Sequence, residues 1–216
     1  MRSVTRALSC LGMVLTVSCS VGDGVGAVRG RLMVEACSLD VPRYSMQPGF
    51  FGGEWHQGSF TIQIAPGGDT GEYADELVFL VDDTGYVARH LNERIEVGAA
   101  GVAPVHAVLR LTKSCGRREL VQTSPNVALE AWRGYAVFES IYRGDPTADA
   151  SARRTAVTSF SLELSDPRAV RDYTNSAGTR AVGEGREPAP VSQSRAELEG
   201  NFEFYFVRGR PAQRFQ

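Results

Sequence analysis

Residues Ser59-Phe60-Thr61-Ile62-Gln63-Ile64 alternate strictly, with Phe60, Ile62 and Ile64 on one side of an extended chain and Ser59, Thr61 and Gln63 on the other. Successive side chains of a strand point to opposite faces, so this run predicts a half-buried β-strand with an apolar inner face. The same period recurs outward along the chain. Val105, Ala107, Leu109 and Leu111 alternate with His106, Val108, Arg110 and Thr112; Phe160, Leu162 and Leu164 alternate with Ser159, Ser161 and Glu163; and Phe202, Phe204 and Phe206 alternate with Glu203, Tyr205 and Val207. Residues 31–37, 77–81 and 135–142 are apolar on both sides and predict strands covered on both faces. Residues 86–91 and 119–123 are weaker strand candidates.

Turn formers separate these runs. Pro66-Gly67-Gly68-Asp69, Asp82-Asp83-Thr84-Gly85 and Gly144-Asp145-Pro146 combine a preset φ from Pro, positive φ from Gly and side-chain to backbone bonds from Asp. Residues 81–87 in particular predict a hairpin tip. About seven to nine strands without a long amphipathic helix predict an all-β fold, an antiparallel β-sandwich. A partly closed β-barrel is the alternative, because period alone does not separate the two.

Two stretches break the rhythm. Residues 165–196 are poor in large apolar side chains and rich in Gly, Pro, Ser and Arg, which predicts a long mobile loop joining the last two strands. Residues 44–56 set Phe50, Phe51 and Trp55 among Pro and Gly, and with His56 they make a candidate ligand groove. The competing reading has these aromatics capping the end of the core.

The 216 residues carry 23 basic and 25 acidic side chains, a formal net charge of -2, with 43% hydrophobic content. That content supports a real core in a single domain. The charge balance leaves no strongly basic face, which excludes general nucleic-acid binding. Lys113 is the only lysine among the basic residues, a bias to which no function is assigned.

At the N-terminus Arg2 and Arg6 precede residues 7–22, which carry no charge before Asp23. This stretch is short for a membrane span and suited to the apolar region of a secretory signal peptide. Two processing routes compete. Val25-Gly26-Ala27 suits a signal peptidase cutting after Ala27, which would release a soluble secreted protein. Leu15-Thr16-Val17-Ser18-Cys19 resembles the lipobox of bacterial lipoproteins, with Thr16 where Leu is usual and Leu15 one place further out. The resemblance is confined to this segment. It implies that residues 1–18 are removed as a signal peptide and that Cys19 becomes the first residue, thioether-linked to diacylglycerol. An acyl anchor of this kind makes the membrane surface of the bacterial envelope a partner. Residues 19–30, rich in Gly, then read as a flexible tether, and residues 31–216 as the single β domain.

Cys10 falls within the signal segment and Cys19 at its end, so the exported domain keeps Cys37 and Cys115. In an oxidising envelope the economical outcome is one disulfide between them. Closing a loop of that length is worth on the order of 4 kcal/mol in the chain-entropy model. A sharper reading makes Cys115 a nucleophile served by His106 on the preceding strand, but nothing marks a third catalytic group.

The search for chemistry returns few signals. His56, His90 and His106 show no HxH or HExxH spacing, there is no GxSxG elbow, and Gly22-Asp23-Gly24-Val25-Gly26 opens no helix. No catalytic residue and no cofactor are expected. Asp69, Glu72, Asp75 and Glu76, with Asp82 and Asp83 beyond the next strand, are a weak Ca²⁺ candidate, since such ions take carboxylate oxygens. Paired carboxylates of the glycosidase type are too common in β-proteins to point anywhere. Arg208, Arg210 and Arg214 form a basic tail that could touch acidic lipid head groups. The reading that absorbs these observations is an exported, lipid-anchored, non-enzymatic binding or interaction module, holding an unknown protein or glycan ligand. The alternatives are a structural subunit of an envelope assembly and a secreted hydrolase.

Overall fold

The computed structural model describes residues 20–67, 74–99, 101–115, 127–145, 149, 151–177 and 189–211. Its strands are β1 (Ser20–Val34), β2 (Leu39–Met46), β3 (Pro48–His56), β4 (Ser59–Pro66), β5 (Glu76–Val81), β6 (Arg94–Glu96), β7 (Val105–Leu111), β8 (Val127–Ser140), β9 (Arg154–Ser165) and β10 (Arg195–Pro211). Two helices interrupt them, α1 (Thr84–Arg89) and α2 (Pro167–Ala177). All ten strands belong to one antiparallel sheet ordered β10-β9-β8-β7-β5-β4-β3-β1-β2, with β6 added to β8. The sheet is strongly curled into a half-barrel, and β10 also pairs with β1, so the first and last strands meet in a seam. The antiparallel all-β architecture is as the alternation predicts, in its curled single-sheet form.

The alternating run from Ser59 to Ile64 lies in β4. Phe60, Ile62 and Ile64 are all buried, paired through β5 with Val81, Phe79 and Leu77. β7, β8, β9 and β10 carry the inner face onward, and the interior is filled by aromatic rings. Phe79 lies 5.3 Å from Phe160 and 5.5 Å from Phe202, Phe51 lies 5.4 Å from Phe204, and Phe206 lies 5.3 Å from Phe60 and 4.6 Å from Tyr142. Offset and edge-on ring pairs of this kind add about 0.5–1.5 kcal/mol each beyond the area they bury.

β1 is where the structure departs most from expectation. Residues 20–30 are not a flexible tether but most of a strand, paired along β10 from Gly22↔Phe206 through Gly26↔Phe202 to Met33↔Arg195. The reason is volume. Gly24, Gly26 and Gly30 alternate along β1 in step with Phe204, Phe202 and Leu198 opposite. A Cβ at Gly24 would stand 2.5 Å from the Phe204 Cβ, and one at Gly26 2.9 Å from the Phe202 Cβ, closer than any side chain permits.

Three further expectations change. Residues 81–87 are a helix start rather than a hairpin tip, because the Asp83 carboxylate accepts the Tyr86 backbone N–H at 3.0 Å and so caps α1. The same helix replaces the weak strand expected at 86–91. Residues 167–177 of the expected loop form α2, with Asp166 accepting from the Arg168 backbone N–H (2.8 Å), Pro167 at the first helical position and Val170 fully buried. Tyr173 of α2 meets Trp132 on the outside of β8, ring centroids 5.6 Å apart. The strand expected at 119–123 lies outside the described residues.

The curled sheet has two ends. The entry rim holds the start of β1, the Gln57-Gly58 turn between β3 and β4, and the end of β10; both turn residues have positive φ, as the tight hairpin requires. The clasp end holds the β1–β2 hairpin, whose tip is a 3-10 turn at Glu35–Cys37, and α2.

Candidate functional site

The four residues of the expected ligand groove do not share one concave face. Phe51 is fully buried against Phe204 inside the barrel, whereas Phe50 and His56 project from the opposite face of β3. Trp55 sits at the entry rim, 38% exposed, with its ring over Gly144, where an added Cβ would come within 2.4 Å of it. Alternation along a strand separates neighbours that a loop would have gathered.

The acidic candidates divide in a similar way. Asp75 is buried, and its Oδ1 accepts the backbone N–H groups of Lys113 (3.0 Å) and Ser114 (2.9 Å), while its Oδ2 accepts the Ser114 and Tyr44 hydroxyls. Its oxygens are therefore occupied by donors of the clasp. Burial first, then the Asp75 charge and the hydrogen bond to it, push the Tyr44 hydroxyl well above the ordinary tyrosine range. Glu76 pairs with Arg110 at 3.1 Å on the outer surface. Asp69 and Glu72 lie outside the described residues, and among the described residues no group of three or more His, Cys, Asp and Glu could hold a metal ion.

Cys37 and Cys115 are joined in a disulfide across 78 residues. It ties the tip of the β1–β2 hairpin to the turn after β7, beside the Asp75 network, and together they form the clasp. Cys115 is thus not a free thiol. His106 lies at the other end of β7, its Nε2 2.7 Å from Asp82 Oδ2 and its Nδ1 3.1 Å from the Gly98 carbonyl, so both ring nitrogens are engaged in holding the connection before β7.

The concavity with the most chemistry is one that sequence reasoning missed. An open groove of about 600 Å³ crosses the outer face of β2, β1, β10 and β9. Arg29, Arg31, Arg43 and Ser45 line one side, and Glu163, Glu197 and Glu199 the other. The register sets Arg29 opposite Glu199 and Arg31 opposite Glu197, and Glu163 is held by Arg133 at 2.6 Å. Guanidinium groups present paired donors to carboxylates or phosphates, and carboxylates accept from hydroxyls and ammonium groups, so the groove suits a polar ligand bearing both. The signal lay in residues 22–34, where Gly, Val and Leu on even positions alternate with Arg29, Arg31 and other outward residues.

A second polar network lies toward the entry rim on the outer face of β8, β9 and β10. Arg154 reaches Glu139 at 2.8 Å and also pairs with Glu203. The hydrogen bond and charge of Arg154 hold the Glu139 carboxyl below its usual range, and the same pairs raise Arg154. The triad is half exposed and braces adjoining strands. Neither a family model, nor a curated protein, nor a solved structure matches this chain.

Proposed function

We propose that this chain is an exported, lipid-anchored envelope protein acting as a non-enzymatic binding module, and that it binds on its outer surface. The observation that carries the binding role is the charged groove over β2, β1, β10 and β9, outside an interior already filled by phenylalanine rings. The ligand that fits is polar and extended, a peptide segment or a glycan with acidic groups.

The anchor has separate support in β1. Cleavage after Ala27 would delete the residues that pair with 201–206 of β10 and with 51–53 of β3, leaving Phe202, Phe204 and Phe206 without the backbone that covers them. Processing at Cys19 leaves the whole strand in place. The Cys37–Cys115 bond fits an oxidising compartment.

Two measurements test the reading. The intact mass of the native protein, extracted from envelopes with detergent, should match a chain that starts at acylated Cys19 and gains two hydrogens on reduction; a chain starting at Val28 overturns the anchor. For the groove, immobilised wild-type protein should retain a stoichiometric envelope component that the Arg29→Glu, Arg31→Glu, Arg43→Glu variant loses while keeping its circular dichroism. Equal retention by both overturns the groove as the binding surface.

A further inference from the structure

Three features that are separate in the sequence meet at one end of the barrel. Ser20, the first residue of β1, is paired with Gly53 of β3 and with Pro211 of β10. Residue 19 therefore precedes the folded barrel with no spacer, since one residue spans at most about 3.5 Å. Trp55 lies two residues beyond Gly53 at the same rim and is 38% exposed. Arg208 and Arg210 lie in β10 between Phe206, opposite Gly22, and Pro211, opposite Ser20, which the register places beside that start. Outside the same seam Val25 and Tyr205 are exposed, Tyr205 directly opposite Asp23.

We propose that the entry rim rests on the lipid surface itself, with Trp55 in the interfacial layer. This rests on acylation at Cys19. An anchor without a tether keeps the rim at the bilayer, where a half-exposed indole is favoured because its ring is apolar and its N–H polar. The arginine-lined groove at Arg29 and Arg31 lies about 30 Å further along β1, at the usual rise per strand residue, so it faces away from the membrane and stays open to a ligand.

The chain has two tryptophans, Trp55 and Trp132. Trp132 packs against Tyr173 on the outside of β8, away from the rim, and serves as an internal control. The native acylated protein is reconstituted into vesicles of phosphatidylethanolamine and phosphatidylglycerol that contain a brominated phospholipid, and tryptophan emission is recorded. The Trp132→Phe protein, which keeps Trp55, should shift to the blue and lose about half its emission or more; the Trp55→Phe protein should be unchanged. Should Trp132→Phe fail to fold, the difference between wild type and Trp55→Phe gives the same readout. A protein acylated at Cys19 by mass but with Trp55 untouched by brominated lipid overturns the docking and leaves the anchor standing. A mass without acylation overturns the anchor and the docking together.

Discussion

β1 and β10 lie side by side for their whole length and are built in opposite ways. Between residues 22 and 26 every second position of β1 is glycine, and the partners of those positions on β10 are Phe206, Phe204 and Phe202. Over this stretch β1 adds no side chain to the interior, while β10 adds three phenylalanine rings. Glycine weakens a strand taken alone, because it costs backbone entropy and packs nothing. Against a phenylalanine neighbour the missing Cβ becomes the space that lets two backbones and a ring share one layer. The property that matters belongs to the pair.

The seam is disrupted most severely from the glycine side. Gly24→Val with Gly26→Val puts new atoms into the backbone and Cβ atoms of Glu203, Phe204 and Phe202, and should cost on the order of 6 kcal/mol, read as loss of the cooperative denaturant transition. From the other side, Phe204→Ala empties the ring that stacks on Phe51 and should cost about 3–5 kcal/mol in the same titration. Replacing Cys37 and Cys115 by Ser frees the far end of β1 from the clasp and should lower stability by about 2–4 kcal/mol, with the denaturant midpoint matching that of reduced wild type. Tyr44→Phe should cost about 1 kcal/mol near neutral pH. Because the folded Tyr44 hydroxyl is held above its ordinary value of 10.0, its contribution is whole below that pH and is lost as pH climbs through the raised value. Thermal melts from about pH 9 to about pH 12 should therefore fall more steeply for wild type than for Tyr44→Phe. Smallest of all, Val25→Ala changes the exposed face of the glycine strand and should stay within about 0.5 kcal/mol, which separates the seam's inner face from its outer one.

The regions legible in the sequence were those whose signal is local. β4, β7, β9 and β10 announce themselves by alternation, and Cys37 with Cys115 by elimination. Residues 20–30 of β1 were not legible as strand, because their glycines make sense only opposite residues about 180 positions later in the chain. α1 and α2 did carry local signals, Asp83 before one and Asp166-Pro167 before the other, which turn and loop composition outweighed. The outer groove is hidden for a related reason: Arg29 falls in the expected tether and Arg31 at the start of the expected strand 31–37, while their partners Glu199 and Glu197 belong to β10.

The seam also sets an order of events. Because the partners of β1 lie about 160–185 residues further along the chain, the pairing from Gly22 to Met33 waits until β10 has been made. Until residues 195–206 are available, β1 has no glycine-matching neighbour and the ring column lacks Phe202, Phe204 and Phe206. Among the described residues closure is the contact of highest sequence separation, slow to form by loop entropy and decisive once formed. Loss of the C-terminal strand therefore leaves an open sheet with two unsatisfied edges, a species prone to pair with its own kind.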